Sequence, residues 1–389
     1  MLSWEFPPRI IGGLAPHVYE LSRALVKKGV EVHVATCDFP GTETLEVVDG
    51  VIVHRVDSYS YPTPDFATWV AMMNVNLQRE VADIMASNEI SLLHAHDWLV
   101  ASASVGLKHM FRIPLVTTIH STEHGRRGGT HNDYQKMISS TEAWLTREAW
   151  RVICCSKYMA REIASTLGVS ETRIDVVPNG INPAPFKTPL NREQLRSQFA
   201  QPNERLVLYV GRLVHEKGVS LLVEAVPHLR DLNIKFVIVG EGYLKEELIR
   251  RVKELGLSDK VYVTGFLDSE TIRGLFRTAD AFVIPSLYEP FGIVALEAMT
   301  GGVPIVTSGA GGLGEILEQD KTATFVYPTP ESIALGIRRI LTNPKYAEDL
   351  RKEALRRVAS YEWGAIASST LGTYARIMLE YNQGKWKPF

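Results

Sequence analysis

Cysteine is scarce in this sequence, with three residues out of 389. Cys154 and Cys155 are adjacent and Cys37 lies far from both, a spacing that matches neither a disulfide framework nor a metal knuckle. A fold held together by disulfides is therefore excluded. We expect all three cysteines to be buried thiols.

The chain also lacks an excess of charge and long apolar runs. Its 42 Lys and Arg residues against 44 Asp and Glu give a net charge of −2, so no bulk charge attracts nucleic acid or an anionic membrane. No apolar run approaches the roughly 20 residues that span a bilayer, and the first residues lack a basic stretch followed by an apolar core. We expect a cytoplasmic protein that binds a small molecule or a neutral polymer.

What the sequence does contain is enough apolar material for two domains. Apolar residues make up 45% of the chain, and a domain takes roughly 100 to 200 residues. Short β-branched runs alternate with amphipathic stretches, which predicts parallel sheets with helical crossovers. The predicted strands cover residues 30–36, 51–56, 90–95, 115–119, 151–155 and 174–177, then 205–210, 235–240, 261–264, 281–285, 303–307 and 323–327. The predicted fold class is α/β, with two doubly wound Rossmann-like domains.

The divide between the domains is predicted near residues 178–183, where proline and Asn-Gly mark a turn. We assign residues 1–182 to the first domain, 183–362 to the second and 363–389 to a final segment. In open α/β sheets, ligands bind beyond the carboxyl ends of the strands. If these edges of the two domains face each other, the site is a deep cleft between them.

The first strand is expected to be unusual. Gly12 and Gly13 precede a predicted helix over residues 14–28, but few residues stand before Pro7 to form the strand that should lead into such a loop. A central parallel strand normally takes roughly four to eight residues. Either this strand is a stub or the native start lies upstream.

The loop over residues 211–218 has the composition of a phosphate-binding turn. Arg212 supplies a planar fork of donors and Lys217 a point charge, just before a predicted helix whose first amides lack partners. This combination suits a diphosphate. The alternative is a solvated turn with ordinary basic residues.

A second loop with two carboxylates follows the strand predicted over 281–285. Pro290 and Gly292 suit a helix start, so the amides near Gly292 and Ile293 form an anion cradle with Glu289 just ahead of them. Glu297 follows eight residues after Glu289, and eight residues of helix rise about 12 Å. The paired carboxyl groups of a glycosidase are closer together, so Glu289 and Glu297 fit that role poorly. The two acids better suit separate hydroxyls of one elongated ligand. The alternative is a helix-capping Glu289 and a buried or paired Glu297.

Residues 309–314 match the G-x-G-x-x-G dinucleotide fingerprint, with Glu331 about 20 residues further on. The match falls after five strands of its own half and leaves too little chain for the rest of a dinucleotide domain. We interpret it as a flexible loop that lines the same cleft, rather than as an NAD site.

Polar side chains also gather at two strand ends of the first half. His94, His96, Asp97 and Trp98 lie at one end and His120 at another. Imidazole and carboxylate bind zinc, but His94 and His96 share a strand face that His120 need not meet, so no metal site is predicted. Sugar hydroxyls need the same polar groups together with an aromatic face, here Trp98. The alternative, most relevant to His94, is a satisfied core histidine.

Taken together, the motifs resemble the family 4 retaining glycosyltransferases with the GT-B fold. The residues that carry the resemblance are Gly12-Gly13, His96-Asp97-Trp98, His120, Pro178-Asn179-Gly180, Gly211-Arg212 with Lys217, Gly265-Phe266, and Glu289 with Glu297. Within the family, the sequence is most similar to glycogen and starch synthases.

The resemblance implies a role for each residue of the second half. Arg212 and Lys217 would bind the diphosphate of a nucleotide sugar and stabilise the charge that builds on it. Glu289, with the amides of Gly292 and Ile293, would hold the hydroxyls of the donor sugar.

Further donor contacts follow from the same resemblance. Glu297 would take the ribose hydroxyls, Gly265 would border the base, and Phe291 would belong to the donor site. In the first half, Gly13 would let its loop approach the phosphates closely, since it has no Cβ.

On the acceptor side, His120 would lie beside the donor sugar near its 6-position, and Asp97 and Trp98 would line the sugar pocket. The resemblance implies no cofactor and no metal, and the sequence has no Asp-x-Asp to hold one. It also implies that the last helix, within 363–389, crosses back to the first domain. Retention would come from attack on the face from which the phosphate departs.

The expected activity is transfer of a hexose, most simply glucose, from ADP- or UDP-glucose to a glucan. Other members of the family make sucrose phosphate or glycosylate lipids and small acceptors. A GT-B enzyme that is not a transferase, such as an epimerase or phosphorylase, and a sugar-binding regulatory protein stay open as alternatives.

Overall fold

The computed structural model describes residues 1–58, 62–384 and 386. The chain divides into two compact units. The first unit contains residues 1–180 and the described residues from Trp363 onward, and the second contains residues 181–362. The chain thus enters the second unit just after Gly180 and leaves it just before Trp363.

The first unit is built on a sheet in two segments. Its strands are β1 (His33–Cys37), β2 (Leu45–Val48), β3 (Val51–Val56), β4 (Leu93–His96), β5 (Leu115–Ile119), β6 (Arg151–Cys154) and β7 (Ile174–Val176). The orders are β2-β3-β1 and β4-β5-β6-β7, and among the strands described in this unit only the β2–β3 pairing is antiparallel. Leu2 forms parallel bridges to Ala35 in β1 and to Ala95 in β4. In the described residues, the segment before the Gly12–Gly13 loop thus contributes isolated parallel bridges at Leu2 rather than a full strand.

The sequence pattern missed β2. This strand lies at the edge of its segment, and its residues alternate between exposed and half-exposed. An antiparallel edge strand needs no continuous apolar run, because only one of its sides is paired. The alternation of Leu45 and Val47 with Glu46 was too short to stand out.

Within residues 1–58 and 62–180, six α-helices of the first unit precede the second unit. They are α1 (Leu14–Val26), α2 (Phe66–Ser87), α3 (Ala101–Phe111), α4 (Glu123–Arg127), α5 (Asp133–Glu148) and α6 (Lys157–Leu167). Side chains at the N-caps of four of these helices accept a hydrogen bond from the first turn: Asp65 for α2, Thr122 for α4, Asn132 for α5 and Ser156 for α6. Such caps satisfy amides that have no partner within the helix.

The second unit contains one parallel sheet of six strands. They are β8 (Arg205–Val210), β9 (Ile234–Val239), β10 (Val261–Gly265), β11 (Ala281–Ile284), β12 (Ile305–Thr307) and β13 (Thr324–Phe325), in the order β10-β9-β8-β11-β12-β13. Strand β12 begins two residues later than predicted. Pro304, which lacks an N–H, precedes it and cannot donate to the ladder.

Helices cover this sheet. They are α7 (Arg192–Arg196), α8 (Val219–Ala225), α9 (Lys245–Glu254), α10 (Ser269–Thr278), α11 (Ile293–Gly301), α12 (Leu313–Ile316), α13 (Pro330–Thr342) and α14 (Pro344–Val358). The last helix, α15 (Trp363–Asn382), packs against α1 in the first unit. Among the described residues, no helix is both long and apolar enough to cross a membrane.

Each unit has its own apolar core. One core joins residues of β8, β9 and β11 to α8 and α13, and the other joins β1 and β3 to α1 and α15. Strands buried on both faces read as continuous apolar runs, which is why the sequence pattern found most of them. The three predicted buried thiols, Cys37, Cys154 and Cys155, are all buried.

Candidate functional site

The strand order of the second unit brings two predicted loops together. Strands β8 and β11 are neighbours, while β9 and β10 lie to one side and β12 and β13 to the other. The order therefore reverses between β8 and β11, and ligands bind at such a switch point in open α/β sheets. The loops that leave these two strands contain Arg212 and Lys217 on one side and Glu289 on the other.

Lys217 and Glu289 form an ion pair across the two loops. The Lys217 Nζ atom lies 2.7 Å from Glu289 Oε2, and the Ser286 hydroxyl lies 3.2 Å from the same oxygen. The side chains are only 19% and 10% exposed. The loops are also joined through the backbone, since the amides of Leu287 and Tyr288 donate to the Glu216 carbonyl at 2.9 and 3.1 Å. This pairing fixes both charges at the carboxyl edge of the sheet.

Arg212 lies on the same loop as Lys217 but is more accessible. Its guanidinium contacts Glu216 at 3.3 Å, and its side chain is 49% exposed. The Arg212 carbonyl accepts a hydrogen bond from the Tyr209 hydroxyl at 3.0 Å. The backbone of this residue is thus held in place while its planar fork can still meet an anion from solvent.

Two glycines in these loops pack closely against neighbouring segments. Gly218 has φ +66°, and a Cβ there would lie 2.0 Å from the Pro285 carbonyl oxygen. Gly292 has φ +100°, and a Cβ there would lie 2.5 Å from Leu313 Cδ2. Any larger residue would be strained at either position. Gly292 is the N-cap of α11, so the backbone amides of the first helical turn, from Ile293 onward, follow closely after Glu289.

The remaining predicted donor residues occupy different parts of the second unit. Glu297 is partly buried one turn into α11, and burial raises its pKa to about 7 against the opposing effect of Arg273. Phe291 is buried, with its ring 6.2 Å from that of Tyr361. Gly265 ends β10 with φ +77°, next to the largely exposed Phe266.

The glycine-rich run over 309–314 supports the Glu289 loop. The Gly312 amide donates to the Glu289 carbonyl at 2.8 Å, and a Cβ on Gly312 would lie 2.3 Å from the Pro290 carbonyl oxygen. The helix that follows, α12, has four residues. These contacts indicate that the glycine-rich run packs against the loop that contains Glu289.

In the first unit, Asp97 and His120 are joined directly. The His120 amide donates to Asp97 Oδ1 at 2.7 Å, and burial raises the Asp97 pKa to about 6. Asp97 has φ +61°, a strained conformation for an aspartate that occurs more often at functional sites than elsewhere. Trp98, by contrast, is only 6% exposed. Its ring is packed inside the unit, so the expectation that it offers an aromatic face to a sugar does not fit the structure.

The histidines are closer together than we expected. His96 Nδ1 lies 3.2 Å from His120 Nε2, so the argument that His120 need not meet the His96 face was wrong. The ends of β4 and β5 are adjacent, which brings these rings together. His94 is a satisfied core histidine, because its ring nitrogens contact the Tyr374 and Thr118 hydroxyls at 2.6 and 2.7 Å.

Sequence reasoning missed His17 and Glu5. The His17 ring lies 4.6 Å from that of His120, and its Nδ1 is 2.6 Å from Asn179 Oδ1. Its only signal was a lone histidine on the apolar face of α1. The buried Glu5 carboxylate accepts from the Ile11 amide at 2.7 Å and so holds the loop that precedes Gly13. Gly13 has φ −72°, which any residue can adopt.

The chain matches two family models, one in each half. Residues 11–185 match the model described as Glycosyltransferase Family 4, and residues 191–357 match the one described as Glycosyl transferases group 1. An uncharacterized glycosyltransferase of Methanocaldococcus jannaschii is 39% identical over 381 residues, which covers 96% of this chain and 97% of that protein. The glycogen synthase of Mycobacterium tuberculosis is 34% identical over 407 aligned positions, which covers 100% of this chain and 96% of that protein.

Solved structures match over a similar extent. The sucrose-phosphate synthase of Thermosynechococcus elongatus has a TM-score of 0.83 at 26% identity, covering 95% of this chain and 94% of that one. The catalytic domain of starch synthase IV from Arabidopsis thaliana, bound to ADP and acarbose, has a TM-score of 0.78 at 19% identity, covering 97% and 98%. Both similarities extend across the two units of this chain.

Proposed function

The chain belongs to the family 4 glycosyltransferases with the GT-B fold, and on that premise we propose that it transfers glucose from ADP- or UDP-glucose to a glucan or another sugar acceptor. The proposed transfer retains the configuration at the anomeric carbon. The named relatives support this, because the M. tuberculosis protein is a glycogen synthase and the A. thaliana structure holds ADP and acarbose. The predicted cytoplasmic location is part of the proposal.

The observation that carries the proposal is the contact of 2.7 Å between Lys217 and Glu289 at the switch point. As the bond to the leaving diphosphate breaks, negative charge grows on the phosphate and positive charge grows on the sugar ring. Lys217, Arg212 and the first amides of α11 are placed to stabilise the phosphate charge. One such donor typically lowers the barrier by roughly 3 to 4 kcal/mol.

Glu289 has a second function in this proposal. Its pairing with Lys217 orients the carboxylate, whose oxygens accept hydrogen bonds from donor-sugar hydroxyls. Glu297, further along the same helix, is assigned to the ribose hydroxyls. The partial burial that raises its pKa to about 7 leaves it able to donate as well as accept near neutral pH.

The first unit is assigned to the sugar hydroxyls. Burial lowers the pKa of His120 to about 4, so its imidazole is neutral at pH 7 and contacts a hydroxyl without adding charge. Asp97 lies beside His120, because its carboxylate accepts a hydrogen bond from the His120 amide. In this proposal, Asp97 lines the sugar pocket. In the proposed step, the acceptor oxygen bonds to the anomeric carbon on the face that the phosphate leaves, and the phosphate takes the acceptor's proton. No cofactor and no metal are required for this step.

A second candidate acceptor is a small phosphorylated sugar. It is favoured by the similarity to the sucrose-phosphate synthase structure, which has a TM-score of 0.83. The donor chemistry is the same in both cases. The two candidates differ only in what attacks the anomeric carbon.

The test is a panel of ADP-, UDP- and GDP-glucose with maltooligosaccharides or hexose phosphates as acceptors, followed by release of nucleoside diphosphate. We expect release with at least one pair, and product analysis by NMR to show the retained anomer. Lys217→Met should abolish it, whereas Lys321→Met, which removes the exposed partner of Glu318, should not. A folded protein that releases nothing with any pair, or an inverted product, would contradict the proposal.

A further inference from the structure

Three histidines from three separate elements converge in the first unit; His17 and His96 are buried and His120 is half-buried. His17 comes from α1, His96 ends β4 and His120 follows β5. One nitrogen of each ring lies within 4.8 Å of a nitrogen of the other two, and His96 Nδ1 is 3.2 Å from His120 Nε2. Two nitrogens bound at about 2.0 to 2.1 Å to one tetrahedral zinc ion are themselves about 3.3 Å apart. Two of the three rings therefore already have the separation of metal ligands.

The third ring presents a lone pair. His17 Nδ1 lies 2.6 Å from Asn179 Oδ1, and because an amide oxygen only accepts, Nδ1 carries the proton. The lone pair is then on Nε2, which is buried and has no hydrogen-bond partner among the described residues. An oxygen that fixes the far nitrogen in this way is the usual support of a metal-binding imidazole.

A bound ion would also satisfy a buried polar atom of the cluster. Because a buried nitrogen without a partner costs free energy, an ion bound to His17 Nε2 would relieve that cost.

We propose that His17, His96 and His120 form a binding site for one divalent transition-metal ion of the zinc type. Imidazole nitrogen suits Zn²⁺, Co²⁺, Ni²⁺ and Cu²⁺, whereas Mg²⁺ and Ca²⁺ prefer oxygen ligands. The ion is not a cofactor of transfer. It binds the His120 imidazole, and the proposed function places this imidazole against the donor sugar. A bound ion therefore inhibits transfer. The inhibition rests on the proposed function, and the binding does not.

Binding is tested on the purified full chain after dialysis against a chelator. Titration with Co²⁺ reports directly on the site, because its visible d–d absorption intensifies when nitrogen ligands surround it tetrahedrally. We expect one equivalent to bind, with an absorption that Zn²⁺ abolishes and Mg²⁺ leaves unchanged. Wild-type protein that shows no absorption change in excess Co²⁺ would overturn the proposal without recourse to any variant.

Variants locate the ion. His17→Gln keeps a donor for Asn179 and a similar volume but removes the imidazole, and we expect at least tenfold weaker Co²⁺ binding. His131→Gln is the matched control, because this histidine is exposed and lies outside the cluster. Circular dichroism checks that both variants fold. If His17→Gln folds and binds Co²⁺ as tightly as the control, the ion lies elsewhere and the proposal fails.

The activity assay separates this inference from the proposed function. With the best donor and acceptor, Zn²⁺ should lower nucleoside diphosphate release by the wild type at least tenfold, and a chelator should restore it. Metal binding in a protein without any transferase activity would refute the proposed function and leave the site. Full activity in a protein that binds no metal would refute the site alone.

Discussion

The candidate groups of the two units differ in charge and in exposure. In the second unit they are charged side chains: the largely buried Lys217–Glu289 pair and a half-exposed Arg212. In the first unit Asp97 is buried, His120 is half-buried, and the lowered pKa of His120 leaves its imidazole neutral at pH 7. A leaving diphosphate needs fixed charge near solvent, whereas neutral hydroxyls need oriented, uncharged hydrogen-bonding groups. Under the proposed function, the charged groups of the second unit would stabilise the leaving group and the groups of the first unit would position the sugar.

The largest effect is expected from Glu289→Gln. This change removes the carboxylate that orients Lys217 and contacts the proposed sugar hydroxyls, so kcat/KM should fall by about 10² to 10³. Nucleoside diphosphate release measures the loss, and calorimetry checks folding. Glu318→Gln, at an exposed carboxylate that contacts Lys321, is the control. Wild-type turnover in a folded Glu289→Gln variant would remove the functional contrast between the units.

A smaller loss is expected from Arg212→Ala. Its guanidinium is half exposed and paired only weakly with Glu216, so stability should change by less than about 0.5 kcal/mol while kcat/KM falls by about 10-fold to 10²-fold. Arg212→Lys should recover part of the rate, because it restores charge without the planar fork. Equal rates for the alanine and lysine variants would show that the positive charge of Arg212 is not used.

The burial of Asp97 in the first unit is tested by measuring stability as a function of pH. Burial raises the Asp97 pKa from 3.8 to about 6, so between about pH 4 and 6 the folded state binds more protons than the unfolded state, and this group's contribution to stability declines as pH rises. Asp97→Asn avoids the cost of the buried charge. Relative to wild type, the free energy of unfolding of this variant should therefore rise by on the order of 2 kcal/mol between pH 4 and pH 7.

Asp65→Asn is the opposite control for that experiment. The Thr68 amide lowers the Asp65 pKa, so this group stabilises the fold above its unfolded pKa and the stabilisation is lost as pH falls through the lowered value. The asparagine variant should lose stability relative to wild type as pH rises. Chemical denaturation at several pH values measures both trends. A difference between Asp97→Asn and wild type that does not change with pH would contradict the burial of this carboxyl.

The same contrast explains how much of the site could be predicted. Arg212, Lys217 and Glu289 were predictable because each follows a β-branched run, and parallel strands present their carboxyl ends at one edge of the sheet. What the sequence could not show is that β8 and β11 are neighbours, since strand order is set by packing across the whole unit. The fold class needed only the alternation of strand and helix patterns along the chain.

Buried groups were harder to predict. His17 and Glu5 belong to no motif, and nothing local distinguishes a lone histidine on an apolar helix face from a packed core residue. The contact of His96 with His120 depends on the pairing of β4 with β5. The burial of Trp98 depends on the packing of α2 and α5 around its turn. Local patterns therefore found the polar groups that follow each strand and missed the contacts between distant elements.

The smallest predicted effect tests the residue for which sequence and structure disagree. Trp98 is 6% exposed, so Trp98→Phe should lower the free energy of unfolding by about 1 to 2 kcal/mol through lost packing and change the acceptor KM by less than about twofold. Trp144→Phe is the matched control, since Trp144 is 37% exposed and should lose less stability. Denaturant unfolding and acceptor titrations measure the two quantities. A tenfold rise in acceptor KM with unchanged stability would restore Trp98 as a sugar-stacking surface, and the first unit would then recognise its ligand through an aromatic face as well as through its neutral polar groups.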